Sequence, residues 1–241
     1  MNKVFRNEIG DKLEVYMDDL IIKSRVDTDR AAHLRKVFTQ ARQCRMRFNP
    51  EKCTFGVKAG KFLDFYLIER GIKANPDKCR AFSDLPTRNS KKSIQVMNDM
   101  LTSLSHFVAR STQHALPFFK LLHKEETFEW TEECEQALCH LKQSLSQPPV
   151  LSRPVDGEPL FLYLAVSNEA ISVALICDTT DGQKPVYFTS KALQGPESRY
   201  QQIEKVALAL VNAARRLRHY FFSPHSHSAN RPTSKTTLRS T

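Results

Sequence analysis

The spacing of apolar residues changes twice along this sequence, and the changes restrict the fold to few arrangements. Short apolar runs separated by turn residues, a pattern typical of β-hairpins, occur at residues 13–23 and 53–68, on either side of one stretch with helical spacing. Helical spacing dominates residues 76–147. After a proline-containing stretch at 147–159, three β-rich runs precede one helix. The sequence therefore predicts an α+β chain with a sheet-containing start, a helical middle and an α/β end.

The same pattern predicts individual elements. We expect a hairpin at 13–23, a helix at 27–48 with Asp27 or Thr28 as its N-cap, and strands at 53–57 and 62–68. Further helices are expected at 76–85, 91–108, 114–123, 132–145 (with Thr131 as N-cap) and 201–219, and strands at 160–166, 171–177 and 185–190. The implied segments are 1–75, 76–147, 148–222 and 223–241, the last expected to be disordered because it is polar and aperiodic.

The charge of the chain favours a polyanionic partner. Its 241 residues include 36 Lys and Arg against 26 Asp and Glu, a net charge of +10. Nucleic acid is the commonest polyanion that basic proteins bind. A merely basic protein with no such partner is an equally good interpretation of the charge alone.

Two further observations concern the compartment. No apolar run reaches the roughly 20 residues that a membrane helix needs, and the first ten residues lack the apolar core of a signal peptide. The six cysteines form no CxxC pair, and most lie beside apolar residues. We therefore expect no membrane association, and buried free thiols in an intracellular, reducing compartment.

The stretch Tyr16-Met17-Asp18-Asp19 carries the clearest chemical signal, because it places two carboxylates between apolar runs. Two adjacent aspartates at a hairpin tip offer the oxygen ligands that Mg²⁺ prefers, held rigidly by the flanking strands. Nucleotidyl transfer uses two such ions about 4 Å apart. A pair of aspartates in a turn is more commonly only solvated, so the apolar flanks are what favour a catalytic and metal-binding role.

The sequence around this motif resembles a known family. Reverse transcriptases carry a YxDD box, which VYMDDLIIKS resembles. The segment after that box in gypsy-type LTR retrotransposons is similar to FNPEKCTFGVKAGKFLDFYLIERGIKANPDK. Their thumb-to-connection region resembles PFFKLLHKEETFEWTEECEQALCHLK, and their RNase H-like domain resembles LFLYLAVSNEAISVALI, QKPVYFTSKAL and RYQQIEKVALALVNAARRLRHYF. The resemblance follows the family's order over residues 1–221.

The resemblance implies a partial polymerase palm, a helical thumb and connection, and a truncated RNase H-like domain. It implies that Asp18 and Asp19 are the catalytic, Mg²⁺-binding carboxylates, and that Tyr16 and Met17 pack at the primer end. The partner would be a template–primer duplex of RNA and DNA. Its phosphates would be contacted by basic residues of the primer grip and thumb, namely Lys61, Arg88, Lys91 and Lys92, although an ordinary solvated face explains the thumb residues equally well.

Four departures from the family pattern predict lost activity. The family's further palm aspartate lies on a strand upstream of the YxDD box, and nothing before Tyr16 resembles that strand. Ala165 and Val206 stand where the RNase H-like fold carries its first-strand aspartate and its helix glutamate. Asp64 replaces a glycine of the primer-grip hairpin. The resemblance also stops after residue 221, where we expect a frameshift-like tail in place of the next strand.

Three interpretations remain open at this point. The chain is an RNA-directed DNA polymerase fragment by descent, a non-catalytic binder of nucleic acid, or a decayed gene product. Because primary metal ligands are missing, we expect that this chain alone does not polymerise. We also expect that the two sheets, lacking some of their strands, fold less well than the helical middle.

Overall fold

The computed structural model describes residues 4–10, 13–23, 29–57, 59–63, 65–85, 90–123, 128–155, 158–221 and 235–238. The chain forms two compact units, Met1–Leu63 and Asp64–Thr241. The first unit has one apolar core and the second has two. The division into four segments remains a prediction, and packing within the second unit crosses its expected boundaries, since Ala74 and Leu151 belong to the core of the helices between them.

The first unit is a hairpin packed on a helix. Strands β1 (Leu13–Tyr16) and β2 (Asp19–Ile22) pair antiparallel, followed by α1 (Arg30–Gln43), a 3₁₀ turn (Pro50–Lys52) and β3 (Gly60–Phe62). Its small core consists of Phe5, Leu13, Val37 and Ala41. Among the described residues, β1 and β2 pair only with each other.

Three sequence predictions for this unit need correction. The helix is capped by Asp29, whose Oδ1 accepts hydrogen bonds from the N–H groups of Ala31 and Ala32, and not by Asp27 or Thr28, which lie outside the described residues. The strand predicted at 53–57 is absent from this described stretch, because Gly56 adopts φ 67° and interrupts the extended backbone. Leu63, at φ 55°, ends β3 within the strand predicted at 62–68.

The second unit begins with a hairpin and four helices. Strands β4 (Phe65–Ile68) and β5 (Gly71–Ala74) lead into α2 (Pro76–Ser83), α3 (Lys91–Leu104), a 3₁₀ turn (Ser105–Phe107), α4 (Ser111–His123) and α5 (Glu132–Ser146). The short strand β6 (Leu151–Ser152) then pairs with β5. The sequence pattern is confirmed in α3, which buries Ile94, Met97, Leu101 and Leu104, and in α5, where Thr131 caps the helix.

A second sheet completes this unit. It contains β7 (Leu160–Val166), β8 (Ala170–Thr179), β9 (Gly182–Ala192) and β10 (Lys235–Leu238) in the order β10-β7-β8-β9. Helices α6 (Gln202–Arg216) and α7 (Arg218–Phe221) follow β9. Because β10 pairs parallel with β7, the expectation that residues 223–241 are disordered and supply no further strand is wrong at Lys235–Leu238.

Two helices cover opposite faces of this sheet. Alternate residues of β8 (Ile171, Val173, Leu175 and Cys177) share a core with Ala209 and Ala213 of α6. On the other face of β8, Ser172 pairs with Ser190 of β9, whose hydroxyl contacts Ser111 of α4 over 2.8 Å. The sheet is therefore the middle layer between α4 and α6.

Candidate functional site

The hairpin of the first unit presents the Tyr16–Asp19 motif at its tip. Tyr16, the last residue of β1, pairs with Asp19, the first residue of β2, which leaves Met17 and Asp18 as a two-residue turn. Met17 has φ 50°, the left-handed conformation that two-residue hairpin turns require and that glycine usually supplies. The turn therefore holds the two carboxylates at consecutive positions, one in the turn and one at the start of β2.

The whole tip is open to solvent. Tyr16 is 48% exposed and Met17 77% exposed, and both aspartates are exposed as well. At the base of the hairpin, Lys23 Nζ lies 2.7 Å from Glu14 Oε1 and donates to the carbonyl of Gly10 over 3.3 Å. Both partners of this ion pair are nearly half exposed, so its contribution to stability is about 0–1 kcal/mol.

The aspartate pair fits only part of a divalent-metal site. Carboxylate oxygens are suitable ligands for Mg²⁺, and the two side chains are adjacent. However, the described residues contain no cluster of three or more His, Cys, Asp or Glu side chains that could hold a metal ion. Glu8, a buried acid of the same unit whose Oε2 has no hydrogen-bond partner among the described residues, belongs to no such cluster. No catalytic step through a metal follows from this geometry.

The basic residues expected to contact phosphate lie in different parts of the chain. Lys61 is exposed on β3 of the first unit. Lys91 and Lys92 form the first turn of α3 in the second unit, where Lys92 is exposed and Lys91 half-buried. Arg88 lies outside the described residues, as does Asp64. The structure thus places three of the four basic residues on regular elements with solvent access.

Two positions were expected to have lost the carboxylates of an RNase H site. One lies on the second sheet and the other on helix α6, which packs against that sheet. Ala165 lies on β7 opposite Ser172, and Val206 packs against the core that β7, β8 and α6 share. The nearby Glu204 has a capping role, because its carboxylate accepts a hydrogen bond from the Gln201 N–H at the start of α6 over 2.8 Å. Both expected positions carry apolar side chains.

Lys205, which the sequence-based predictions did not include, is only 4% exposed. Its Nζ donates to the carbonyl of Asn168, in the turn between β7 and β8, over 3.2 Å. A signal for its burial was present, since Lys205 recurs with Ala209 and Ala213 at the four-residue spacing of the core face. The ammonium group thus anchors the start of α6 to the end of β7.

Several titratable side chains of the second unit have shifted pKa values. Burial lowers the pKa of His106, and the charge of Arg216 lowers it further, against a hydrogen bond with the backbone of Phe188 that raises it. The His106 ring packs on Tyr187 with 5.0 Å between ring centres. Burial raises the pKa of both Tyr187 and Tyr220. All three side chains are half-buried.

The cysteines divide between the interior and the surface. Cys79, Cys134 and Cys177 are buried free thiols, as predicted, whereas Cys44 and Cys139 are exposed and Cys53 is intermediate. Burial raises the pKa of the Cys79 and Cys177 thiols, which favours their unreactive protonated form.

Within the described part of the chain, no helix is both long and apolar enough to span a bilayer.

Comparison with known proteins matches nearly the whole chain. Residues 1–131 match the family model described as reverse transcriptase (RNA-dependent DNA polymerase), and residues 130–228 match the RNase H-like domain found in reverse transcriptase. The chain is 29% identical over 222 residues to a retrovirus-related Pol polyprotein from transposon 297 of Drosophila melanogaster, covering 91% of this chain and 20% of that protein. A Tf2-3 transposon polyprotein of Schizosaccharomyces pombe is 25% identical, over 86% of this chain and 16% of its own length.

Solved structures show the same fold. A foamy viral protease-reverse transcriptase in complex with an RNA/DNA hybrid has a TM-score of 0.77 at 17% identity, covering 99% of this chain and 31% of that one. The same viral protein with double-stranded DNA also gives a TM-score of 0.77 at 17% identity, covering 99% of this chain and 48% of that one. The chain spans about a fifth of the curated polyproteins it matches. From its YMDD hairpin to its second sheet, this chain belongs to the reverse transcriptase family, and its later part is the RNase H-like domain found in reverse transcriptase.

Proposed function

We propose that this chain is a duplex-binding segment of a reverse transcriptase, of the gypsy type, that does not extend a primer by itself. The observation that carries the proposal is the exposed Tyr16–Asp19 hairpin tip, whose two carboxylates are not joined by a third His, Cys, Asp or Glu side chain in any potential metal-binding cluster of the described residues. Two ligands of a two-metal site are too few to hold both ions in place. The expected consequence is duplex binding without nucleotide incorporation.

Charge and similarity support the binding half of the proposal. The net charge of +10 favours phosphate-rich partners. The foamy viral reverse transcriptases of the same fold are described with an RNA/DNA hybrid and with double-stranded DNA. We infer that Lys61, Lys91, Lys92 and Arg88 contact the phosphates of a template–primer duplex, and that Tyr16 and Met17 pack at the primer end.

We infer that Asp18 and Asp19 are the residues that would hold Mg²⁺. The ion, when bound with a further carboxylate, supplies electrostatic stabilisation of the attacking and leaving oxygens. The chain's own contribution is the rigid turn at Met17, which fixes where the Asp18 carboxylate lies relative to Asp19.

We further infer that the RNase H-like domain is a structural spacer. Ala165 and Val206 offer methyl groups in place of carboxylates, so they cannot ligate a hard cation. Lys205, buried beside Val206, adds a positive charge to the same helix turn, which opposes cation binding further.

A primer-extension assay with Mg²⁺ on a homopolymer template tests the catalytic half. We expect no incorporation by the wild-type chain. Incorporation that Asp18→Asn abolishes would contradict the proposal, because it would show a working metal site in this chain alone.

A fluorescence-anisotropy titration of an RNA/DNA duplex at several salt concentrations tests the binding half. We expect affinity to fall steeply with salt, and the slope of log K against log salt to decrease by about 1 for each phosphate contact removed. Lys61→Gln and Lys92→Gln should each weaken binding, whereas Lys36→Gln, an exposed lysine of α1, serves as the matched control. Salt-independent or undetectable binding would contradict the proposal.

A further inference from the structure

Helix α6 carries an apolar stripe that the described residues of its own unit leave exposed. Ile203 is 68% exposed, Leu210 and Val211 are each 46% exposed, and Ala207 and Ala214 are exposed too. The face that packs on the sheet is a different one, formed by Lys205, Ala209 and Ala213. Solvent-facing helix positions are usually polar, so five apolar residues along one exposed face require a partner surface.

The spacing of the stripe is that of a helix–helix seam. Ile203, Ala207, Leu210 and Ala214 follow one another at intervals of four, three and four residues. This alternation keeps side chains on one line along a helix and is the repeat of coiled coils. The expected partner is therefore a second helix that lies alongside α6.

The sizes of the side chains fit a second α6 in the opposite direction. In one antiparallel register, Ala207 of one copy lies opposite Leu210 of the other copy. Ile203 then lies opposite Ala214 of the other copy. Each large residue then faces a small one at all four levels, so the helices can approach closely without a gap or a clash. Only this antiparallel register pairs every large residue of the stripe with an alanine of the other copy.

Charge selects the same direction. Glu204 lies near the start of α6 and Arg215 near its end, about 20° apart around the helix axis and on the same flank of the stripe. A twofold axis between antiparallel helices places each glutamate within about one turn of the arginine of the other copy. The antiparallel arrangement also sets the two helix dipoles in opposite directions. A parallel pair would instead place the charged flanks of the two helices on opposite sides of the seam, so neither Glu204 nor Arg215 would meet the opposite charge of the other copy there.

We propose that α6 pairs antiparallel with α6 of a second copy of this chain, through Ile203, Ala207, Leu210 and Ala214. One helix face buries less than the ~1,200 Å² at which stable interfaces begin, so we expect a weak, reversible dimer. This pairing is independent of duplex binding and of any polymerase activity.

Sedimentation velocity of the full chain over a range of concentrations tests the pairing. We expect the wild-type mass to double as the concentration rises through the micromolar range, and Leu210→Glu to raise the dissociation constant at least tenfold. Val155→Glu is the matched control, because Val155 is 66% exposed and lies outside α6. Circular dichroism verifies that both variants keep their helices, and Leu210→Ala, a milder change, should still weaken the dimer several-fold.

Crosslinking then tests the register. Chains with Ala207→Cys and chains with Leu210→Cys, mixed in a Cys44→Ser and Cys139→Ser background, should form the mixed disulfide faster than either chain forms its own. A wild-type chain that stays monomeric at all concentrations would overturn the proposal and leave the stripe to another helix. A dimer that Leu210→Glu does not weaken, or that crosslinks without preference, would also overturn it.

Discussion

The hydroxyl of Ser190 on β9 accepts a hydrogen bond from the backbone N–H of Thr112, in the first turn of α4, over 2.9 Å. The same Ser190 Oγ donates to Thr112 Oγ1 at 2.8 Å and lies 2.8 Å from the hydroxyl of Ser111, which is only 3% exposed. A small network of hydroxyl groups thus joins the helical segment to the second sheet and satisfies an N–H group at the helix start.

Ser190→Ala should destabilise the second unit by about 1–3 kcal/mol, because it leaves the Thr112 N–H and the buried Ser111 hydroxyl without their partner. Urea unfolding followed by circular dichroism measures the change. Ser146→Ala is the control: its hydroxyl donates only to the carbonyl of Gln143 near the exposed end of α5, and we expect a loss below about 0.5 kcal/mol. Equal losses in both variants would contradict the role of the network.

Gly71→Ala should destabilise the second unit by about 3 kcal/mol. The added Cβ would lie 2.0 Å from the carbonyl oxygen of Leu151, and Gly71 has φ +144°, which other residues rarely adopt. The pairing of β5 with β6 would have to shift. Gly60→Ala is the control, since nothing lies within 4 Å of its Cβ position and its φ is not in the left-handed region. Thermal unfolding of the two variants should differ clearly.

Stability should fall as the pH is lowered through about 6.5, the pKa of an unperturbed histidine. Burial lowers the pKa of His106 and of His114, so the unfolded chain binds protons in this range that the folded chain does not. The free energy of unfolding therefore decreases on acidification and levels off only below the lowered pKa values. His106→Phe should make the dependence of the free energy of unfolding on pH shallower between pH 7.5 and 5.5.

Met17→Gly should leave the first unit as stable as before, or up to about 1 kcal/mol more stable, because glycine adopts φ 50° without the steric cost that methionine bears. Met17→Val should cost about 1–2 kcal/mol, since a β-branched residue is least tolerant of this conformation. Chemical-shift changes confined to the hairpin would verify that both variants keep the fold. A glycine variant less stable than the valine variant would show that the turn is not strained at Met17.

Local patterns predicted most helices and three of the four strands of the second sheet, β7, β8 and β9. Apolar spacing identified the buried face of α3, and Thr131 identified the start of α5. The hairpin at 13–23 followed from two apolar runs around Asp18 and Asp19. These features depend on residues close together in sequence, where spacing alone determines which side chains share a face.

The failures arose where tertiary contacts decide. The polar residues Lys235–Leu238 show no strand pattern, yet β7 offers them a paired edge, and backbone hydrogen bonds do not depend on side-chain polarity. The strand predicted at 53–57 looked apolar, but a left-handed glycine interrupts it. The buried Lys205 and the Ser111–Ser190 contact join residues distant in sequence, and the chain alone gives no measure of such distances.

The pairing of β5 with β6 has a consequence for the order of assembly during synthesis. Gly71 and Ser152 are neighbours in the sheet, while the whole of α2 to α5 lies between them along the chain. The four helices therefore leave the ribosome before the strand that closes them does. The contacts among these helices are local and form quickly, whereas β5 can pair with β6 only after residue 152 has emerged. The entropic cost of closing the loop between the two strands grows only slowly with the length of that loop.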